Sequence, residues 1–260
     1  MDFFSDRFAY PVCGMYSLGH FIFVLIIGIL IVLGVNLSKN LTKEGLRKQT
    51  LIIMIILWAL EIFKIGFNHL KGYFGWDNWV PLAFCSLLLY AGWLSLSKNE
   101  VIHKMGVTWI IVGGLIGGAS YLLYPSTSLT EVQAFHFLAF HGMGYHGTMV
   151  YLGILYFIHG DVEISVKNFK YYFLFLFVVF PIVIALDYIF GVNLMFFRDA
   201  YNLHDFVKAV NAWNQPIYTC IVVLFYLVLP YFLIYGIDKV GDFIHKKKEN
   251  TLFTETEVKE

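Results

Sequence analysis

The chain has 260 residues, 59% of them hydrophobic and 14% charged, with 18 basic and 18 acidic side chains in balance. A soluble domain carries roughly a quarter charged residues, so this composition excludes an ordinary soluble fold and points to an all-α, polytopic membrane protein. Zero net charge leaves no electrostatic footprint for nucleic acid, and Cys13, Cys85 and Cys220 have no CxxC spacing, which argues against a disulfide framework or a structural zinc site.

A membrane-crossing helix needs roughly 20 mostly apolar residues. By that rule the sequence predicts seven, over residues 15–36, 48–70, 79–97, 104–123, 131–158, 171–190 and 215–237. The first follows Asp2, Asp6 and Arg7 and has neither a basic leader nor a small-residue cleavage site, so it is expected to be retained. The seven form one transmembrane domain, residues 1–238, and residues 239–260 form a charged tail. In the third helix Pro81 suits the first turn. Cys85 then lies six residues below Trp79, roughly 9 Å into the helix. The fifth carries His136, His141 and His146 among glycines. A five-residue step turns a helix by about 140°, so these three histidines share no face. A metal clamp on one helix wants spacing of three or four, and no metal site is expected there.

Lysine and arginine set the orientation. Thirteen of the 18 fall in the first, third and fifth connections and the C-terminal tail, which predicts the N-terminus outside and the C-terminus inside, as in a bacterial cytoplasmic membrane. On that topology His20, Glu61, Lys64, Asn68, His69, Cys85, His136, His141, Asp187 and Asn211 all fall in the outer half of the bundle. The inner halves read as mainly Ile, Leu, Val and Phe. Polar groups inside membranes gather at pathways and sites, so an outward-facing polar cavity is expected.

Several residues there could carry chemistry. Cys85 becomes a nucleophile if a histidine takes its proton; its plainer role is that of a small apolar residue. His141 is expected at a similar depth and is the candidate base. Glu61 could orient that histidine, or simply pair with Lys64 three residues on. Asp187 could orient it from the sixth helix, and His136 is a neighbouring support. Arg198, in the long outer connection, suits a phosphate or carboxylate at headgroup level, or an ion pair with Asp199 or Asp205. No Walker loop, Gly-x-Ser-x-Gly or dinucleotide fingerprint is present, and no cofactor is expected.

Pro81-Leu-Ala-Phe-Cys85, Phe137-Leu-Ala-Phe-His141-Gly142 and Asn193-Leu-Met-Phe-Phe-Arg198, with Tyr16-Ser-Leu-Gly-His20 before them, resemble motifs of the YwaF-like bacterial integral membrane proteins. The resemblance runs in order over roughly residues 15–235. It departs at Ala83, where that family typically has histidine. The family is distantly similar to an animal membrane acyltransferase that remodels ether phospholipids and uses a Cys/His pair. The resemblance therefore implies a lipid acyltransferase or acyl hydrolase, with Cys85 as acyl acceptor, His141 as base, and a phospholipid or lysophospholipid as substrate. Two other readings fit the same pattern. One is a seven-helix transporter or receptor for a small molecule or lipid. The other is a metal-dependent lipid hydrolase assembled from His20, His69, His136 and His141 with an acid.

Overall fold

The computed structural model describes residues 2–125, 128–200 and 205–257, apart from the side chains of Asp77, Asp242 and residues 244–257. The side chains of Lys246, Lys247 and Lys248, and all of Lys259, lie outside the described residues. Every regular element among the described residues is helical: α1 Leu18–Ser38, α2 Lys43–Leu70, α3 Trp76–Trp79, a 3₁₀ turn Cys85–Leu87 leading into α4 Leu88–Ser95, α5 Glu100–Leu123, α6 Phe137–His159, α7 Phe169–Phe190, α8 Asp205–Trp213 and α9 Gln215–Glu257.

Among the described residues five helices are long and apolar enough to cross a membrane: Leu18–Ser38, Lys43–Leu70, Glu100–Leu123, Val166–Phe190 and Gln215–Gly241. The protein is thus a multi-pass membrane protein. Two of the seven predicted spans differ from the pattern. The 131–158 span is α6, which is 23 residues long but diluted by three histidines and four glycines. The 79–97 span is broken. Its helix starts at Cys85 and ends at Ser95, about 17 Å at 1.5 Å per residue, against a hydrocarbon core of about 30 Å. The cause is Pro81. The residue before a proline is pushed out of the helical region, and Val80 sits at φ −112°, ψ 106°. Leu82 N–H closes a tight turn onto Val80 C=O at 2.8 Å. Cys85 therefore begins a helix rather than lying 9 Å inside one.

Side chains fix the helix starts. Ser17 accepts from His20 N–H, Thr42 from Gly45 N–H, and Asn99 from the N–H groups of Val101 and Ile102, each satisfying donors that a helix leaves free at its N-terminus. Gly160 and Gly191 end α6 and α7 in the left-handed region, which costs glycine nothing. The core is built on α5. Some 67% of its apolar window is buried, against 11% for α1, so α5 is the central post and α1 faces lipid. Contact with α6 is close because Gly118 has no side chain: a Cβ there would lie 2.8 Å from His146 C=O. Small residues drive such packing in lipid, where apolar burial gives no advantage.

One expectation is corrected at the end of the bundle away from Glu61. A hydroxyl cluster sits there, not only aliphatic and phenylalanine side chains. Tyr156 OH lies 3.0 Å from Thr50 Oγ1 and 3.3 Å from Ser95 Oγ, joining α2, α4 and α6. Ser38 Oγ accepts from Tyr151 OH at 2.9 Å and from Gln49 Nε2 at 3.0 Å. Arg47 donates to Leu96 C=O.

Candidate functional site

Helix α2 brings Glu61 and Lys64 into the interior, and α6 brings His141. Lys64 Nζ pairs with Glu61 Oε1 at 2.6 Å, and Glu61 Oε2 lies 3.6 Å from His141 Nε2. The side chains of Glu61 and His141 are 4% and 8% exposed; that of Lys64 is 25% exposed. A buried carboxylate is tolerated only when paired, and Lys64 supplies that pairing. The 3.6 Å separation is ion-pair contact but too long for a hydrogen bond, so His141 Nε2 is buried without a hydrogen-bond partner. The pair expected at Glu61–Lys64 and the contact expected at Glu61–His141 both form.

His141 sits in a column on α6. Phe137 and Tyr145, one turn to either side, flank its ring at 5.8 Å and 6.0 Å, the latter stacked at 15°. Tyr145 reaches the broken helix: its hydroxyl donates to Cys85 C=O at 3.2 Å. Tyr145 thus lies between the Cys85 backbone and the His141 ring. The residue before the cysteine anchors the unwound stretch, with the Phe84 ring stacked 4.8 Å from Tyr226 and 5.7 Å from Trp109. Cys85 is half-buried and free. Irregular backbone at membrane depth must be packed in protein, and these aromatic contacts provide that packing.

The other candidates lie elsewhere. His136 is the N-cap of α6. Its Nδ1 accepts from Leu138 N–H at 3.0 Å, which puts the ring proton on Nε2, 3.1 Å from Ser5 C=O. His20 is held alike, between Tyr16 N–H at 3.1 Å and Leu122 C=O at 2.8 Å. His146 donates from Nδ1 to Gly142 C=O at 2.7 Å, and the Tyr121 ring stacks on it at 3.5 Å. Asp187 is fully buried and accepts from Leu194 N–H at 2.8 Å, closing the turn after α7. No hydrogen bond or ring contact among the described residues joins His136 or Asp187 to His141. The supporting partner present is Glu61. Arg198 is exposed, and its guanidinium lies 3.5 Å from where a Cβ on Gly191 would be. Among the described residues no three His, Cys, Asp or Glu side chains are grouped to hold a metal, so His20, His69, His136 and His141 do not converge.

Sequence reasoning missed Tyr145. The available signal was its position four residues after His141, on the same helical face.

The TMEM164 family profile matches residues 15–234. That covers most of the chain, from the turn before α1 into α9. The chain belongs to the TMEM164 family. All of the Glu61, Cys85 and His141 surroundings lie inside the matched stretch, and so do Asp187 and Arg198. Among curated proteins and solved structures, none matches this TMEM164-family chain.

Proposed function

We propose that this protein transfers or hydrolyses acyl chains of membrane phospholipids through Cys85 and His141. The observation that supports the reading is the Tyr145 link: its hydroxyl donates to the Cys85 backbone carbonyl and its ring lies parallel to His141 with centroids 6.0 Å apart, beside a carboxylate 3.6 Å from the histidine. Glu61 lies on the Nε2 side of His141, and in this reading Nδ1 is the atom that receives the Cys85 proton. In the first step His141 takes the Cys85 proton, and the thiolate attacks the ester carbonyl of a phospholipid. The ester C–O bond breaks, a thioester forms, and the lysolipid alkoxide takes the proton from His141. In the second step a lysolipid hydroxyl or water gives its proton to His141 and attacks the thioester, which releases the acyl product and regenerates the thiol. A helix leaves its first N–H groups unpaired; Leu87 N–H is taken by Phe84 C=O at 3.3 Å, so in this reading the N–H groups of Cys85 and Ser86 are the oxyanion donors. Glu61 orients the histidine, and Lys64 balances its charge. Arg198 meets the headgroup phosphate. The motif resemblance to the YwaF-like proteins and their distant acyltransferase relatives supports the same reading. The topology proposed with it has seven crossings, the N-terminus outside and the C-terminal tail in the cytoplasm of a bacterial cell.

The test is acyl transfer by the purified protein from labelled phospholipid to lysolipid, for wild type, Cys85→Ser, His141→Ala and a chelator-treated sample. Loss in both variants and none on chelation is expected. A second reading, a transporter or receptor, is favoured by one observation: the contacts within the Glu61–Lys64–His141 cluster involve no thiol. It predicts that Cys85→Ser keeps full function.

A further inference from the structure

We propose that the lipid-facing side of α2 holds one acyl chain of a phospholipid, with the phosphate at Lys71. Phe63, Gly66, Phe67 and Leu70 follow the i, i+3, i+4, i+7 rule and share one helical face. Phe4 closes the other side, and together they line a groove of about 290 Å³ with an almost wholly apolar surface. Ligand sites for small molecules run from roughly 300 to 1,000 Å³, so the groove suits part of a single chain and not a whole lipid. Its floor is open at Gly66, where a Cβ would meet nothing within 4 Å.

The Phe4 wall is fixed rather than loose. Its ring lies 6.0 Å from Phe63, 6.1 Å from Phe67 and 5.9 Å from Phe137. The segment carrying it is tied to the start of α6 by Phe137 N–H to Phe3 C=O at 2.9 Å and by Arg7 to Glu131 at 2.8 Å. At the outer rim Lys71 caps α2, 5.8 Å over the Phe67 ring and 3.2 Å from Asp6 Oδ1. Lys71 is 27% exposed but Asp6 is 64% exposed, so water screens the pair from the Asp6 side and a lipid phosphate can take the carboxylate's place. Inside hydrocarbon an apolar groove gains nothing by burial alone, because lipid tails are as apolar as the protein. Shape and the phosphate therefore select the occupant.

The groove also adjoins the candidate site. Phe63 and Phe67 pack on Phe137 at 5.0 and 5.5 Å, and Phe137 packs on His141 at 5.8 Å. The binding claim stands without thiol chemistry and concerns a lipid other than the substrate whose headgroup Arg198 meets in the acyl-transfer reading.

The test uses the full chain in phosphatidylcholine vesicles doped with a phosphatidylcholine that carries a photoactivatable group midway along one chain. A matched diacylglycerol probe lacks the phosphate. Cross-links are expected on residues 63–70. Gly66→Phe, whose Cβ meets no neighbour within 4 Å and whose ring would occupy the groove, is expected to lower them about fivefold or more, whereas Gly66→Ala keeps them. Lys71→Ala is expected to lower phosphatidylcholine labelling about fivefold and to leave diacylglycerol labelling unchanged. Cys85→Ser labels like wild type, which separates failure of the groove from failure of the chemistry. Labelling spread equally over Leu25 and Ile29 on α1, and unchanged by Gly66→Phe, would overturn the proposal.

Discussion

Two buried polar clusters, one toward each end of the bundle, are built from different kinds of side chain. At one end Thr50, Ser95 and Tyr156 are neutral hydroxyls that satisfy one another across three helices. At the other end Glu61, Lys64 and His141 are ionisable, and the buried Nε2 atoms of His141 and His146 have no hydrogen-bond partner. A satisfied buried network holds helices together. An unsatisfied one needs another explanation, and in a membrane a functional site is the first. The hydroxyl cluster is therefore read as structure and the charged cluster as the site.

Substitutions at the two ends should separate stability from activity. The largest effect is expected from Cys85→Ser and His141→Ala, each lowering acyl transfer by about 10³-fold or more while leaving the thermal midpoint in detergent near that of wild type. Next comes Glu61→Ala. Removing one partner of a buried ion pair costs about 3–5 kcal/mol, and the exposure of Lys64 puts this case at the low end. A lowered thermal midpoint together with lost activity is expected. The double variant Glu61→Ala/Lys64→Met should recover stability but not activity; recovery of both would remove Glu61 from the mechanism. Tyr156→Phe is the mirror case. It should cost about 1 kcal/mol, as interhelical hydrogen bonds in membranes do, with turnover unchanged. An activity loss there as large as that of His141→Ala would erase the distinction between the two ends. The smallest effect is expected from Arg198→Ala, a several-fold rise in KM for anionic phospholipid with kcat unchanged, read from initial rates against lipid mole fraction.

Much of this was legible in the sequence. Length and hydropathy placed α1, α2, α5, α7 and α9 because membrane-crossing helices must be apolar along their length. The Glu61–Lys64 pair followed from spacing alone. The break before Cys85 was less legible, since a proline after a Trp-Val pair reads as either a first turn or an interruption, and tertiary contacts of Phe84 decide between them. The surroundings of Asp187 and His136 were hidden for a different reason. Each is a buried polar group whose partner is a backbone atom, Leu194 N–H for one and Leu138 N–H and Ser5 C=O for the other. Sequence shows side chains, not the turns that consume them. The hydroxyl cluster went unread because serine, threonine and tyrosine at helix ends look like ordinary interfacial residues.

The central claim is that Cys85 carries the acyl group, and intact-protein mass spectrometry tests it most directly. The purified protein is incubated with a phospholipid bearing an isotope-labelled acyl chain, quenched in acid and weighed. One added acyl mass is predicted, located on Cys85, removed by neutral hydroxylamine, absent in Cys85→Ser and strongly reduced in His141→Ala. Acyl transfer by Cys85→Ser at the wild-type rate, with no thioester in either protein, would contradict the account.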